Sequence, residues 1–243
     1  NNFLGTLFLC KAMKRANVFR LIFSSSATGY GQPREIPVSE QCAFGSPENP
    51  YGRSKLMAEQ MLQDIVISDP SWHIAALRYF NPVGAHSSGL IGENPNGLPN
   101  NLVPYISQVG IGKIDFLRVF GNDYATADGT GVRDYIHVQD LAAGHLKAIS
   151  AIENKSGLHV WNLGTGRGYS VLEVVHAFEE ASGKKIAYRF FPRRAGDIAE
   201  CWADTSKANR ELEWKGERGL SEMMLDVWRW QSKNPQGYEA TLL

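Results

Sequence analysis

Short apolar runs alternating with helical periods constrain this chain more than any other feature. Residues 19–23, 73–80 and 159–163 each have the length and content of a buried parallel strand. Residues 3–16, 51–68, 139–152 and 171–181 carry apolar side chains at helical spacing. In the 139–152 segment the stripe reads Leu141, Ala142, His145, Ala148 and Ile149. Helix, strand, helix, strand is the order of an open α/β sheet, whose active groups gather beyond the strand C-termini. Ser24-Ser25-Ser26 and residues 81–84 stand in such places. The pattern further predicts a helix over 101–112, strands over 116–120, 133–138 and 186–191, and helices over 206–212 and 220–232. Residues 85–101 form a long Gly/Pro/Asn-rich stretch, which inside a compact domain is functional or disordered.

The chemistry concentrates in Asn49-Pro50-Tyr51-Gly52-Arg53-Ser54-Lys55. Pro50 suits the first position of a helix and Asn49 the cap before it. Tyr51 and Lys55 then share a helical face, and Ala58 and Leu62 continue that stripe toward the interior. A lysine there is costly without a partner or a task, and an ammonium beside a phenol favours the phenolate. Taken alone, Tyr-x-x-x-Lys also fits a buried tyrosine next to a surface lysine. Ser26, at a strand end one loop earlier, completes a chemical unit. Lys55 favours the Tyr51 phenolate, Tyr51 acts as base toward a substrate hydroxyl, and Ser26 orients that hydroxyl. Loss of a hydroxyl proton with hydride leaving the same carbon is alcohol oxidation, so a nicotinamide is implied. Gly164-Thr165-Gly166-Arg167-Gly168 invites a dinucleotide-binding reading, but its spacing is Gly-x-Gly-x-Gly and no acidic-ended strand follows at the right distance. A tight strand-to-helix turn accounts for it.

Among 243 residues, Lys+Arg and Asp+Glu both number 25, which leaves no field to recruit nucleic acid or an anionic membrane. No apolar run approaches the roughly 20 residues of a membrane span. Three widely spaced cysteines, Cys10, Cys42 and Cys201, lack metal-ligand spacing and favour free thiols in a reducing, cytoplasmic setting. The chain opens without Met and enters a helical pattern at once, so it reads as starting mid-domain.

Several longer stretches occur in order: Ser24-Ser25-Ser26-Ala27-Thr28, Pro50-Tyr51-Gly52-Arg53-Ser54-Lys55 and Arg78-Tyr79-Phe80-Asn81-Pro82-Val83-Gly84-Ala85. Pro99-Asn100-Asn101-Leu102, Gly131-Val132-Arg133-Asp134-Tyr135-Ile136-His137-Val138, Pro192-Arg193-Arg194-Ala195-Gly196-Asp197 and Trp202-Ala203-Asp204 follow. Across essentially the whole chain this set resembles the UDP-glucose (UDP-galactose) 4-epimerase family of extended short-chain dehydrogenases/reductases. The resemblance implies a partial NAD-binding Rossmann domain (a doubly wound parallel sheet) with a smaller α/β substrate-binding C-terminal domain. Residues 1–80, joined partly by 134–165, would belong to the first, and 81–243 mainly to the second. Tyr51 would be base and acid at the sugar 4-hydroxyl, Lys55 would bind the nicotinamide ribose and lower the phenol pKa, and Ser26 would assist at the 4-oxygen. Hydride would pass to NAD, the 4-keto sugar would rotate, and hydride would return to its other face. Asn1, Ser24, Tyr79 and Pro82 match positions near NAD, together with Tyr51 and Lys55. Asn81, Asn101, Phe120, Arg133, Arg194 and Asp197 match positions around the UDP-sugar, and a guanidinium fork suits a pyrophosphate on its own account. A homodimer through helices 3–16 and 51–68 is expected of the family.

Three departures from the family pattern carry expectations. Gly29 stands where a larger aliphatic residue is expected, which would loosen the turn. Cys201 stands where many bacterial relatives have Tyr, leaving room for an N-acetyl group and for UDP-GlcNAc/UDP-GalNAc beside UDP-Glc/UDP-Gal. The family's glycine-rich phosphate loop would lie before Asn1, roughly 80–100 residues at about 30 per βαβ unit. A fragment lacking it should bind NAD poorly and be inactive. Two alternatives remain open. A nucleotide-sugar 4,6-dehydratase shares Tyr-x-x-x-Lys but places an Asp-Glu pair where this chain has Ala27-Thr28. A non-catalytic nucleotide-sugar-binding remnant would also lack the glycine-rich part.

Overall fold

The computed structural model describes residues 1–45 and 47–238. In chain order the elements are α1 (Asn2–Arg15), β1 (Arg20–Ser26), a 3-10 turn (Ala27–Tyr30), α2 (Pro50–Ser68), β2 (His73–Tyr79), β3 (Asn81–Val83), α3 (Leu102–Gly110), β4 (Leu117–Phe120) and β5 (Val132–His137). They continue with α4 (Val138–Ala151), β6 (Gly157–Leu163), β7 (Gly168–Ser170), α5 (Val171–Ser182), β8 (Tyr188–Phe191), β9 (Glu200–Cys201), α6 (Ser206–Leu212) and α7 (Leu220–Lys233). The expected mixed α/β architecture with parallel strands is present. Among the described residues no helix is long and apolar enough to cross a membrane.

Strands β1, β2 and β6 form an all-parallel sheet with β2 in the middle. Because side chains alternate along a strand, β2 feeds two cores at once. Ile74 and Ala76 pack with Phe23, with Cys10 of α1 and with Ala58 and Leu62 of α2. Ala75 and Leu77 pack with Trp161 and Leu163, with Leu141 and Ala148 of α4 and with Ala208 and Leu212 of α6. Helices on both faces explain why β2 is almost continuously apolar in sequence. Each fully buried Leu or Ile contributes about 1.5–3 kcal/mol relative to exposure. A third core joins α3, α5 and α7 through Val103, Ile106, Val174, Phe178, Met223 and Met224. It sits beside β4 and β8, which pair parallel, and beside β5, which pairs with β3, β7 and β9.

Several sequence expectations shift. The serine run lies inside β1 rather than after it, extended by pairing with β2 as far as Ser26 opposite Tyr79. On α4 the buried line is Leu141, Gly144 and Ala148; Ala142 and Ile149 face outward. Gly144 takes the inner position because a Cβ there would stand 3.0 Å from Leu163 and 3.2 Å from Trp214. The two-residue strand β9 carries too little pattern to be read ahead of the fold. At Gly29, where a larger residue was expected, a Cβ would lie 2.0 Å from Phe44, whose ring already fills the space.

Residues 84–101 have no regular secondary structure, yet their path is fixed by α7 and the segment after it. Arg229 donates to Ser87 O (3.0 Å), Lys233 to Ser88 O (3.2 Å) and Asn234 to Gly89 O (3.3 Å). Trp230 Nε1 donates to Glu93 O (3.2 Å), and Tyr238 Oη meets both Gly92 N and Gly92 O at 3.0 Å. Gly92 lies so close to the Trp230 indole that a Cβ would come within 2.1 Å of it.

Candidate active site

Helix α2 begins as its sequence dictates. The Asn49 side chain accepts from Gly52 N (2.8 Å) and Pro50 occupies the first turn. Gly52 is packed against the turn after β1; a Cβ would sit 2.8 Å from Pro47 and 3.0 Å from Thr28 O. That close approach sets the start of α2, and Tyr51 with it, against the Ser26–Thr28 segment. Ser26 Oγ accepts from Thr28 N (3.3 Å) and from Thr28 Oγ1 (2.9 Å). With both lone pairs engaged, its own O–H remains free to donate.

Lys55 reaches across from α2 to β1 and donates to Ser24 O at 2.7 Å, with its Nζ 5.7 Å from the centre of the Tyr51 ring. Partial burial pulls its ammonium below the ordinary lysine value. Tyr51 does not belong to the buried stripe expected of it; it is 51% exposed, and Ala58 and Leu62 carry the packing. The Tyr79 hydroxyl lies 2.8 Å from Ser24 Oγ and 2.5 Å from His145 Nε2. Burial pushes the Tyr79 phenol up, and the Ser24 contact opposes this. Ser24, Ser26, Tyr51, Lys55 and Tyr79 therefore gather at the C-terminal ends of β1 and β2. Asn1 is exposed at the start of α1, whose Asn2 donates to Ser54 Oγ of α2 (2.9 Å), and Pro82 is exposed on β3.

Beneath this group lies a buried polar chain that the sequence reading missed. Glu59, one turn beyond Lys55, accepts from Arg78 Nε (3.1 Å) and Nη2 (2.7 Å) and also pairs with Ser25 Oγ. Arg78 Nη1 donates to Tyr30 Oη (2.9 Å), which donates to Asn162 Oδ1 (2.7 Å), and Glu40 accepts from Asn162 N (2.7 Å). The Arg78 guanidinium also lies 3.5 Å from the Phe44 ring centre. Burial pushes the Tyr30 phenol up to about 12, so it stays neutral and able to donate. Burial opposes the Arg78 charge, but Glu59 and Tyr30 outweigh it and hold the guanidinium above its ordinary value. The available signal was an arginine inside an apolar strand, which needs a buried partner.

The Gly164–Gly168 turn is occupied by the protein itself. Asp134 accepts from Thr165 N (2.8 Å), Thr165 Oγ1 (2.7 Å), Gly166 N (3.0 Å) and Ala203 N (3.1 Å). A Cβ at Gly164 would stand 2.4 Å from that carboxylate. These amides form an anion-binding nest whose anion is Asp134, so the turn reading holds over the dinucleotide one.

Beyond β3 opens a cavity of about 420 Å³. Asn81, Asn101, Phe120, Arg133, Arg194 and Asp197, all singled out in sequence, line it, together with Arg118, Tyr105, Tyr124 and Tyr135. Arg194 forms a two-point pair with Asp197 (2.9 and 3.3 Å) and lies 4.8 Å from the Phe120 ring centre. Tyr124 is buried, and its hydroxyl has no hydrogen-bond partner among the described residues. Cys201 does not line this cavity. It lies one strand pair from Arg133, packed with Tyr30, Val38 and Phe80, and burial pushes its thiol up to about 11. The additional lining residues had no spacing or composition signal; convergence of β4, β5 and the 98–101 segment brings them together.

The buried chain yields a stability test. Arg78→Met leaves Glu59 buried without its cation and should cost about 3–5 kcal/mol in chemical denaturation. The double variant Arg78→Met/Glu59→Leu should recover most of that loss, because both charges go together.

The chain matches the family model described as GDP-mannose 4,6 dehydratase over residues 1–227. It is 60% identical over 238 residues to UDP-glucose 4-epimerase of Haemophilus influenzae, covering 98% of this chain and 70% of that protein. It is 58% identical over 240 residues to the Bacillus subtilis UDP-glucose 4-epimerase, covering 99% and 70%. The structure of UDP-glucose 4-epimerase from Bifidobacterium longum in complex with NAD+ and UDP superimposes with a TM-score of 0.95 at 56% identity, covering 98% of this chain and 71% of that one. With the strand-end serines, Tyr51 and Lys55 on one side and an arginine-lined cavity on the other, the chain belongs to the UDP-glucose 4-epimerase family.

Proposed function

We propose that this protein interconverts UDP-galactose and UDP-glucose by NAD-dependent chemistry at C4 of the sugar. The observation that carries the reading is Lys55, held at Ser24 O beneath the Tyr51 ring at the end of β1. Its ammonium has three donors and Ser24 O takes one, so two are free for the hydroxyls of a nicotinamide ribose. Asn1, Ser24, Tyr51, Lys55, Tyr79 and Pro82 would hold that end of NAD. Bound there, NAD supplies the acceptor and donor of hydride at C4. Tyr51 takes the proton of the 4-hydroxyl and later returns one, with the Lys55 charge favouring its phenolate. The free O–H of Ser26 donates to the 4-oxygen and orients it. Asn81, Asn101, Phe120, Arg133, Arg194 and Asp197 bind the UDP moiety, so residues 1–80 with part of 134–165 form the cofactor side and 81–243 mainly the sugar side. Ala27 and Thr28 supply no carboxyl group to expel a 6-hydroxyl, which disfavours dehydration.

The test is conversion of UDP-galactose by the protein supplied with NAD and no added reductant. Turnover to UDP-glucose is expected, and its absence would overturn the reading. Tyr51→Phe should lower the rate about 10²–10⁴-fold. A 4-keto-6-deoxy product would identify a dehydratase instead.

We extend the proposal to the N-acetylated pair on the small side chain of Cys201, which stands outside the cavity lining as the strand partner of its wall residue Arg133. Cys201→Tyr should lose activity on UDP-GlcNAc and keep it on UDP-galactose; full retention on both would refute this. Three free cysteines fit a cytoplasmic protein. Leu4 and Phe8 of α1 and Met57 of α2 are exposed apolar residues on two packed helices, and we place a homodimer there. Phe8→Glu should convert a dimer to a monomer in light scattering.

A further inference from the structure

Three guanidinium groups line the 420 Å³ cavity, and two of them are already engaged. Arg133 donates through Nη1 to Val132 O (2.8 Å) and Ala199 O (3.3 Å) and through Nη2 to Ile198 O (2.8 Å). Arg194 spends two donors on Asp197. Arg118 is different. It is exposed and has no hydrogen-bond or ion-pair partner among the described residues; its guanidinium rests 5.6 Å from the Phe191 ring centre. Leu117 and Val119 are buried, so the alternation of β4 turns Arg118 to the side of Phe120, another cavity residue.

Charge points the same way. Arg118, Arg133 and Arg194 against Asp197 leave the wall with two net positive charges, and neighbouring Arg193 is cancelled by Asp123 at 2.8 Å. A nucleotide-sugar diphosphate carries about two negative charges, one per phosphate. Without Arg118 the wall would hold half of that balance and no guanidinium with a full set of free donors. We infer that Arg118 is a ligand contact of this cavity, donating to the diphosphate of a nucleotide sugar and setting preference for charged over uncharged nucleosides. The inference rests on the function proposed above.

Calorimetric titration of the protein with UDP-glucose, UDP and uridine tests it, comparing the unaltered chain with Arg118→Gln and Arg118→Lys. Arg118 is exposed, so both variants should keep the melting temperature. Arg118→Gln should weaken UDP-glucose and UDP about three- to tenfold and leave uridine unchanged, with the gap narrowing as salt rises. Arg118→Lys should recover part of the loss, because it keeps the charge without the fork. Unchanged UDP affinity in Arg118→Gln, or an equal loss on uridine, overturns the inference alone. Failure of the unaltered chain to bind UDP overturns the proposed function, and this inference with it.

Discussion

Arg78 and Glu59 meet where neither charge has water, and the placement of the reacting groups follows from that contact. Glu59 belongs to α2, Arg78 to β2, and Ser25 of β1 joins them. Each has a neighbour in the proposed chemistry: Lys55 one helical turn before Glu59, Tyr79 next to Arg78, and Ser24 and Ser26 on either side of Ser25. A helix is stiff, so fixing Glu59 fixes the rotation of α2 and the direction from which Tyr51 and Lys55 approach the strand end. A pair of charges is a costly way to join a helix to a sheet, since apolar residues of similar size would hold it as well. What the pair adds is direction: two hydrogen bonds between a planar fork and a carboxylate admit far fewer arrangements than a greasy contact.

Much of this was readable ahead of the fold, for definable reasons. The strands of the parallel sheet announced themselves because burial on both faces leaves a continuous apolar run, and α2 because Asn49 and Pro50 give a start signal with a mechanism. Tyr51, Lys55 and Ser26 could be grouped because the proposed chemistry needs all three at one strand end. Arg118, Tyr105, Tyr124 and Tyr135 could not be grouped, since they come from separate elements and only tertiary packing makes them one wall. Ala142 and Ile149 on α4 misled for a related reason: helical periodicity gives the spacing of a stripe but does not say which of two neighbouring stripes faces in, and Gly144 won that place by allowing close packing.

The glycine turn at 164–168 illustrates how one local geometry serves opposite ends. Backbone amides in such a turn favour an anion whatever its origin. Here the anion is a side chain of the same chain, and Asp134 thereby joins β5 to the Ala203 segment. Phe44 plays a similar part at Gly29, filling with a distant ring the space that a local side chain would otherwise take.

The connection between α7 and residues 84–101 has a consequence for how the loop can vary. Nearly every bond that holds it is made to the loop's backbone, by side chains of Arg229, Trp230, Lys233, Asn234 and Tyr238. Backbone carbonyls are the same for every residue type. The route of the loop is therefore written in the helix, and its own sequence is free to drift except where a side chain lacks room, at Gly84 against His137, Gly89 against Lys233 and Gly92 against the indole, or where the proposed site uses one, at Asn101. Length is another matter. One residue gained or lost would shift each carbonyl past its donor, so this family member should tolerate substitution in that stretch far better than insertion or deletion.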